Sequence, residues 1–63
     1  MNLTELSLRF YGALYRSEHF VDQSDAAAED GKSSEALRLM AYAMEETEKA
    51  EEYMKQINVI IGK

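Results

Sequence analysis

The sequence is organised around Asp30-Gly31-Lys32-Ser33, a turn signal near the middle of 63 residues. On each side of it, small or apolar residues recur at alternating steps of three and four, which is the a/d pattern of packed helices. Before the turn these positions are Leu3, Leu6, Phe10, Ala13, Ser17, Phe20, Ser24 and Ala27. After the turn they are Ser33, Ala36, Met40, Ala43, Thr47, Ala50, Met54, Ile57 and Ile61. The pattern predicts helix 1 over about 3–29, a turn at 30–33 and helix 2 over about 34–61.

Folding the chain back at this turn pairs positions whose numbers sum to 63 or 64. Phe20 then faces Ala43, so that a large side chain meets a small one, as interdigitating layers require. On one side of the seam, Arg16 falls near Glu46 and can form an interhelical ion pair. The sequence therefore predicts an all-α fold, an antiparallel helical hairpin that occupies residues 1–63 as a single domain.

Signals at the helix ends agree with these bounds. Asn2 followed by Glu5 has the spacing of a capping box at the start of helix 1. Gly31 suits the left-handed position that closes a helix. Ser33 or Ser34 is expected to cap helix 2.

A lone hairpin leaves apolar side chains without cover. The chain has no cysteine for a disulfide, and a core of this size rarely supplies more than ~3–5 kcal/mol without a staple. Two hairpins that pair into a four-helix bundle share one core, so we expect a homodimer of this kind. The predicted dimer-interface residues are Leu14, Val21, Ala28, Leu37, Met44, Tyr53 and Ile60.

The charge balance limits the classes of partner. The formal net charge is −5. Such a balance disfavours nucleic acid and anionic membranes, because phosphate binding depends on clustered lysine and arginine. No apolar run approaches the ~20 residues of a membrane helix, and the N-terminus lacks the pattern of a secretory signal. We therefore expect a cytoplasmic protein that neither enters a membrane nor readily binds nucleic acid.

The pattern of reactive side chains predicts no catalytic site, metal site or cofactor. His19 is the only histidine, and Arg16 stands where a Glu-x-x-His metal motif would need glutamate. Ser17 and Thr47 share a layer, but no base lies on that seam, so a packed polar layer is the better interpretation. We do not expect an enzyme.

One group of apolar residues lies outside the seam. Leu8, Tyr11 and Tyr15 recur at helical spacing on the outside of helix 1, with Gly12 among them. They could be covered by the second protomer, or they could form a docking face for another protein, for which tyrosine is well suited. The predicted partner-binding residues are Leu8, Tyr11, Gly12 and Tyr15, with Glu45, Glu48 and Glu52 as an electrostatic complement.

The layout resembles the Rop family of plasmid copy-number regulators, short chains whose helical hairpins dimerise into antiparallel four-helix bundles. The resemblance implies RNA binding through the outer face of helix 1. Here that face has no lysine, and it offers Leu8, Tyr11, Gly12, Tyr15, His19 and Asp22. The leading hypothesis is therefore a non-enzymatic homodimeric regulator or inhibitor, of phage or plasmid type, that binds another protein. The alternatives are a Rop-like RNA binder, an acidic mimic of nucleic acid, and a small helical subunit or chaperone.

Overall fold

Two α-helices connected by a tight turn form the fold. The computed structural model describes residues 1–62, with α1 at Leu3–Glu29 and α2 at Ser33–Ile61. The two helices pack side by side as a hairpin 46 Å long. The predicted all-helical hairpin is confirmed. Within residues 1–62, neither helix has a stretch long and apolar enough to cross a membrane.

The start of α1 follows the predicted cap. The Asn2 side-chain oxygen Oδ1 accepts a hydrogen bond from the Glu5 backbone N–H at 2.8 Å. This bond satisfies one of the amide groups that the first helical turn leaves without a partner.

A two-bond motif at Gly31 ends α1 and reverses the chain. Gly31 has φ +77°, a left-handed conformation that glycine adopts without a Cβ clash. Its N–H donates to the Ala28 carbonyl at 3.0 Å, and the Lys32 N–H donates to the Ala27 carbonyl at 2.8 Å. This pair of bonds is the Schellman arrangement, which satisfies the last carbonyls of a helix.

The predicted serine cap of α2 is wrong. The capping residue is Lys32, which makes no side-chain capping bond, and α2 begins at Ser33. The Lys32 carbonyl already accepts the first helical bond, from the Ala36 N–H at 2.9 Å. Because Lys32 both completes the Schellman motif and opens α2, no extended residue remains in which a serine side chain could turn back to cap the helix.

Small side chains fill the contact between the helices. The buried residues are Leu6, Ala13, Ser24, Ala27, Ala36, Ala43, Ala50 and Ile57, and all of them lie on the predicted seam. The buried Ser24 hydroxyl donates to the Ala36 carbonyl at 2.8 Å, so its polar atom is satisfied. Apart from Leu6 and Ile57, every buried side chain is alanine or serine, and the two backbones can therefore approach closely.

The seam divides the surface of the hairpin into two edges. We call one the apolar edge; it contains Val21 on α1 and Met44 on α2. The other, the charged edge, contains the ion pair between Arg16 and Glu46, whose Nε and Oε2 atoms lie 3.1 Å apart. Met44 and Glu46 are two residues apart in one helix, so their side chains project about 200° apart, from opposite sides of α2.

Candidate protein-binding surface

Three large apolar side chains lie on the outside of α1. Leu8, Tyr11 and Tyr15 are 69%, 66% and 71% exposed. Tyr11 and Tyr15 lie two residues before and after buried Ala13, so both point away from α2. We call these three residues the outer stripe. Because α2 leaves them uncovered, they are available to another molecule.

The outer stripe continues along α1 as a row of carboxylates. Steps of three and four residues lead from Tyr15 to Glu18, Asp22, Asp25 and Glu29, all of them exposed. We call these four residues the acidic half, and the outer stripe and acidic half together the outer row. Of these four residues, only Asp22 was assigned to the outer face of helix 1 from the sequence. Extending the three–four spacing beyond Tyr15 is the sequence signal that identifies them as part of one row.

Aromatic rings connect the outer stripe with α2 across the charged edge. The rings of Tyr15 and His19 stack at a centroid distance of 6.5 Å, with 4° between their planes. His19 lies 6.2 Å from Phe20, and Phe20 lies 5.5 Å from Tyr42 on α2. Tyr42 was not among the predicted site residues. The signal in the sequence is the register of the hairpin. Phe20 and Tyr42 have numbers close to the sum of 63 or 64 that defines facing positions, so their rings are expected to lie near each other.

Gly12 belongs to the charged edge. A Cβ atom at Gly12 would lie 3.2 Å from Nη1 of Arg16, whose guanidinium group covers this side of the helix. The side chain of Arg16 passes here on its way to Glu46. The space beside Gly12 is therefore occupied by the end of the Arg16 side chain.

Glu46 is the centre of a small ionic network. It accepts hydrogen bonds from Arg16 at 3.1 Å and from Lys49 at 3.4 Å, and its side chain is only 12% exposed. Partial burial opposes ionisation of this carboxyl group. The hydrogen bonds and positive charges of Arg16 and Lys49 outweigh that effect and hold the pKa of Glu46 below its usual value.

The predicted acidic complement faces away from the outer stripe. Glu48 and Glu52 lie two residues before and after buried Ala50, so they point away from α1, and Glu45 lies on the same side of α2. The outer stripe and these three glutamates therefore occupy opposite outer surfaces of the hairpin. A compact partner cannot contact both surfaces of one protomer at once.

The predicted dimer-interface residues divide between the two edges. The apolar edge contains five of them: Leu14, Val21, Ala28, Leu37 and Met44. Tyr53 and Ile60 follow Glu46 at seven-residue steps, which places them on the charged edge. One flat interface therefore cannot include all seven of these residues.

A shallow cleft lies beside the turn on the charged edge. Its volume is about 290 Å³, and Gln23, Ala27, Lys32 and Leu39 are among the residues that line it. Within residues 1–62, no group of three histidine or acidic side chains converges as a metal site would require.

Together, the fold and its surface define a two-helix hairpin with an exposed apolar and acidic row on one helix. Comparisons of the chain with protein-family models, with curated proteins and with solved structures give no match.

Proposed function

We propose that this chain is a small protein-binding module that regulates or inhibits another protein through the outer stripe. The observation that carries the proposal is the exposure of Leu8, Tyr11 and Tyr15 on the side of α1 that faces away from α2. Tyrosine gives a large contact area with few rotatable bonds, and it is enriched among the residues that dominate binding energies. An apolar group of this kind on a small acidic protein is typical of an interaction site.

We propose further that two hairpins pair through the apolar edge to form a four-helix bundle. Leu37 and Met44 are 72% and 62% exposed on this edge, where water would otherwise contact them. The whole hairpin measures 46 Å by about 15 Å in outline, so a face that used its full length would present roughly 700 Å². This area is close to the ~800 Å² per partner of a standard stable interface. The pairing leaves the outer stripe of each protomer free, because that stripe points away from the seam.

RNA binding has less support from the same surface. The outer row contains no lysine or arginine, and its second half consists of carboxylates. Phosphate groups would be repelled there, and RNA-binding affinity depends largely on cationic contacts to phosphate. The protein-binding interpretation needs no such contacts.

Site-specific photo-crosslinking in the native host tests the proposal. A photoreactive amino acid at Thr4, one helical turn before Leu8, reports on the outer stripe without replacing it. The same amino acid at Glu48 reports on the opposite outer surface and is the matched control. We expect a discrete heterologous crosslink from position 4 that is missing from position 48 and is lost with Tyr11→Ala and Tyr15→Ala. Crosslinks from position 4 to a second copy alone would assign the outer stripe to the dimer core and overturn the proposal.

A further inference from the structure

The outer row has two chemically different halves along one side of α1. The outer stripe occupies the N-terminal part of α1, and the acidic half occupies its C-terminal part. From Leu8 to Glu29 the row extends over about 32 Å, at 1.5 Å per helical residue. The three–four spacing of its members is the spacing with which one helix contacts another along its length. A second helix of about 20 residues matches both the length and the spacing of the row.

We propose that the outer row binds an amphipathic helix with apolar anchors opposite the outer stripe and lysine or arginine opposite the acidic half. This inference rests on the proposed function and names the class of partner that the same surface would take. The apolar anchors supply most of the binding free energy, and the basic residues fix the direction and register of the helix.

The acidic half favours a cationic partner over an apolar one. Both ion pairs found in residues 1–62 involve Glu46. Glu18, Asp22, Asp25 and Glu29 therefore have no cation within this part of the chain. An apolar helix laid over them would remove water from four charges without compensation, which is unfavourable. A basic helix would set a lysine or arginine against each carboxylate, so that ionic contacts offset the loss of water.

A second copy of the chain does not fit along the full row. If two rows packed in parallel, the acidic half of one would face the acidic half of the other, and like charges would repel. If they packed antiparallel, Leu8, Tyr11 and Tyr15 of one copy would face carboxylates of the other. Neither direction gives a complementary contact, so the row is built for a different chain.

Designed peptides provide a direct test. One probe is a 24-residue helical peptide with leucines on the contacting positions of its N-terminal half and lysines on those of its C-terminal half. A second probe has the two halves exchanged, and a scrambled peptide of the same composition is the control. We expect one ordered probe to bind saturably by fluorescence anisotropy and to bind more weakly as salt is raised, since screening weakens the ionic contacts.

Two charge-neutralised variants locate the site. The first carries Glu18→Gln, Asp22→Asn, Asp25→Asn and Glu29→Gln. The matched control carries Glu45→Gln, Glu48→Gln, Glu51→Gln and Glu52→Gln, which removes the same charge from the other helix. We expect the first variant to bind the probe roughly tenfold more weakly, because four ionic contacts are lost. The control should stay within about twofold of the parent chain, since its changes act only through net charge.

Equal weakening in the two variants would show unspecific attraction to an acidic protein and would overturn the inference. Absence of saturable binding by either ordered probe would overturn it as well. The crosslinking experiment separates this failure from that of the proposed function. A heterologous protein crosslinked from position 4 through a segment without basic residues would leave the proposed function standing and refute the basic helix. Specific binding of the probe without any heterologous crosslink in the native host would support the basic-helix site and count against the proposed function.

Discussion

The hydroxyl oxygens of Ser17 and Thr47 lie 2.9 Å apart across the seam, and both also lie within hydrogen-bonding distance of the Ala43 carbonyl. Each hydroxyl group has a single proton, so only two of these three contacts can be hydrogen bonds at one time. One hydroxyl donates to the other, and the second donates to the carbonyl. This arrangement makes the two side chains interdependent and connects α1 with α2 through a polar layer.

The coupling can be measured with a double-mutant cycle. We expect Ser17→Ala and Thr47→Val each to lower the free energy of unfolding by about 0.5–1.5 kcal/mol, because each removes one neutral hydrogen bond. The double variant should lose less than the sum, since both changes break the same shared contact. Urea denaturation of the four proteins gives the values. Strict additivity would mean that the two hydroxyl groups do not interact in solution.

Enlargement of the seam should destabilise the hairpin. Ala43 is only 3% exposed and lies next to the Ser17–Thr47 layer. We expect Ala43→Leu to lower the free energy of unfolding by about 1–3 kcal/mol, because the extra methylene groups have no space. The matched control is Ala41→Leu, which changes an exposed position of the same helix and should stay within about 0.5 kcal/mol. Equal melting temperatures for the two variants would contradict the observed packing.

The ion pair on the charged edge should make a pH-dependent contribution to stability. The pKa of Glu46 is held below its usual value of 4.5 in the folded protein, so the folded state favours the ionised form. That contribution is present above the unfolded pKa and is lost as the pH falls through the folded pKa. Because Arg16 is about half exposed, we expect Glu46→Gln to cost only ~0–1 kcal/mol at pH 7.

The measurement is the difference in melting temperature between the parent chain and Glu46→Gln, followed from pH 7 down through the pKa of Glu46. The difference should shrink as the pH falls below 4.5, when the parent carboxyl group becomes protonated. Glu45→Gln, an exposed neighbour on the same helix, is the control. A difference that stayed constant with pH would show that the pair makes no ionic contribution.

Replacement of Gly12 should stabilise the monomeric hairpin. Alanine is about 1 kcal/mol more favourable than glycine inside a helix. The new Cβ would lie 3.2 Å from the end of the Arg16 side chain, which is flexible and can move by a few tenths of an ångström. We therefore expect Gly12→Ala to raise the melting temperature. A lower melting temperature would show that the guanidinium position is fixed and that Gly12 is needed to hold it.

Assembly through the apolar edge can be tested by placing a charge there. Met44→Glu should convert a dimer to a monomer in sedimentation velocity experiments, because it would bury an unpaired carboxylate between hairpins. Gln23→Glu introduces a negative charge at an exposed position of the charged edge, seven residues after Arg16, and should leave the sedimentation coefficient unchanged. Tyr53→Glu tests the charged edge in the same way. If only Tyr53→Glu dissociated the dimer, the interface would lie on the charged edge, which would contradict our proposal.

The sequence was sufficient to predict the hairpin and its register because the seam repeats small residues with little interruption. Every buried side chain, from Leu6 to Ile57, lies on a position that the three–four spacing selects. The Arg16–Glu46 pair followed from the same register. Periodicity within each helix, however, does not relate the outer surface of one helix to that of the other.

That limit explains the errors on the outer surfaces. The outer stripe was predicted to act together with Glu45, Glu48 and Glu52, which the fold places on the opposite surface. Asp22 was assigned to the same face as the outer stripe, but Glu18, Asp25 and Glu29 were not, because the chemistry changes after Tyr15 while the spacing does not. The start of α2 was missed for a local reason: Lys32 takes part in the Schellman motif, and no sequence preference for serine could override that geometry.

The alanines along the seam also restrict how this chain can vary. Ala13, Ala27, Ala36, Ala43 and Ala50 already have the smallest side chain that keeps good helix propensity. A substitution there can only add bulk or introduce glycine, and either change weakens the hairpin. Sequence drift in related chains should therefore be concentrated on the two solvent-facing surfaces, where new binding specificities could arise without disturbing the helix pair.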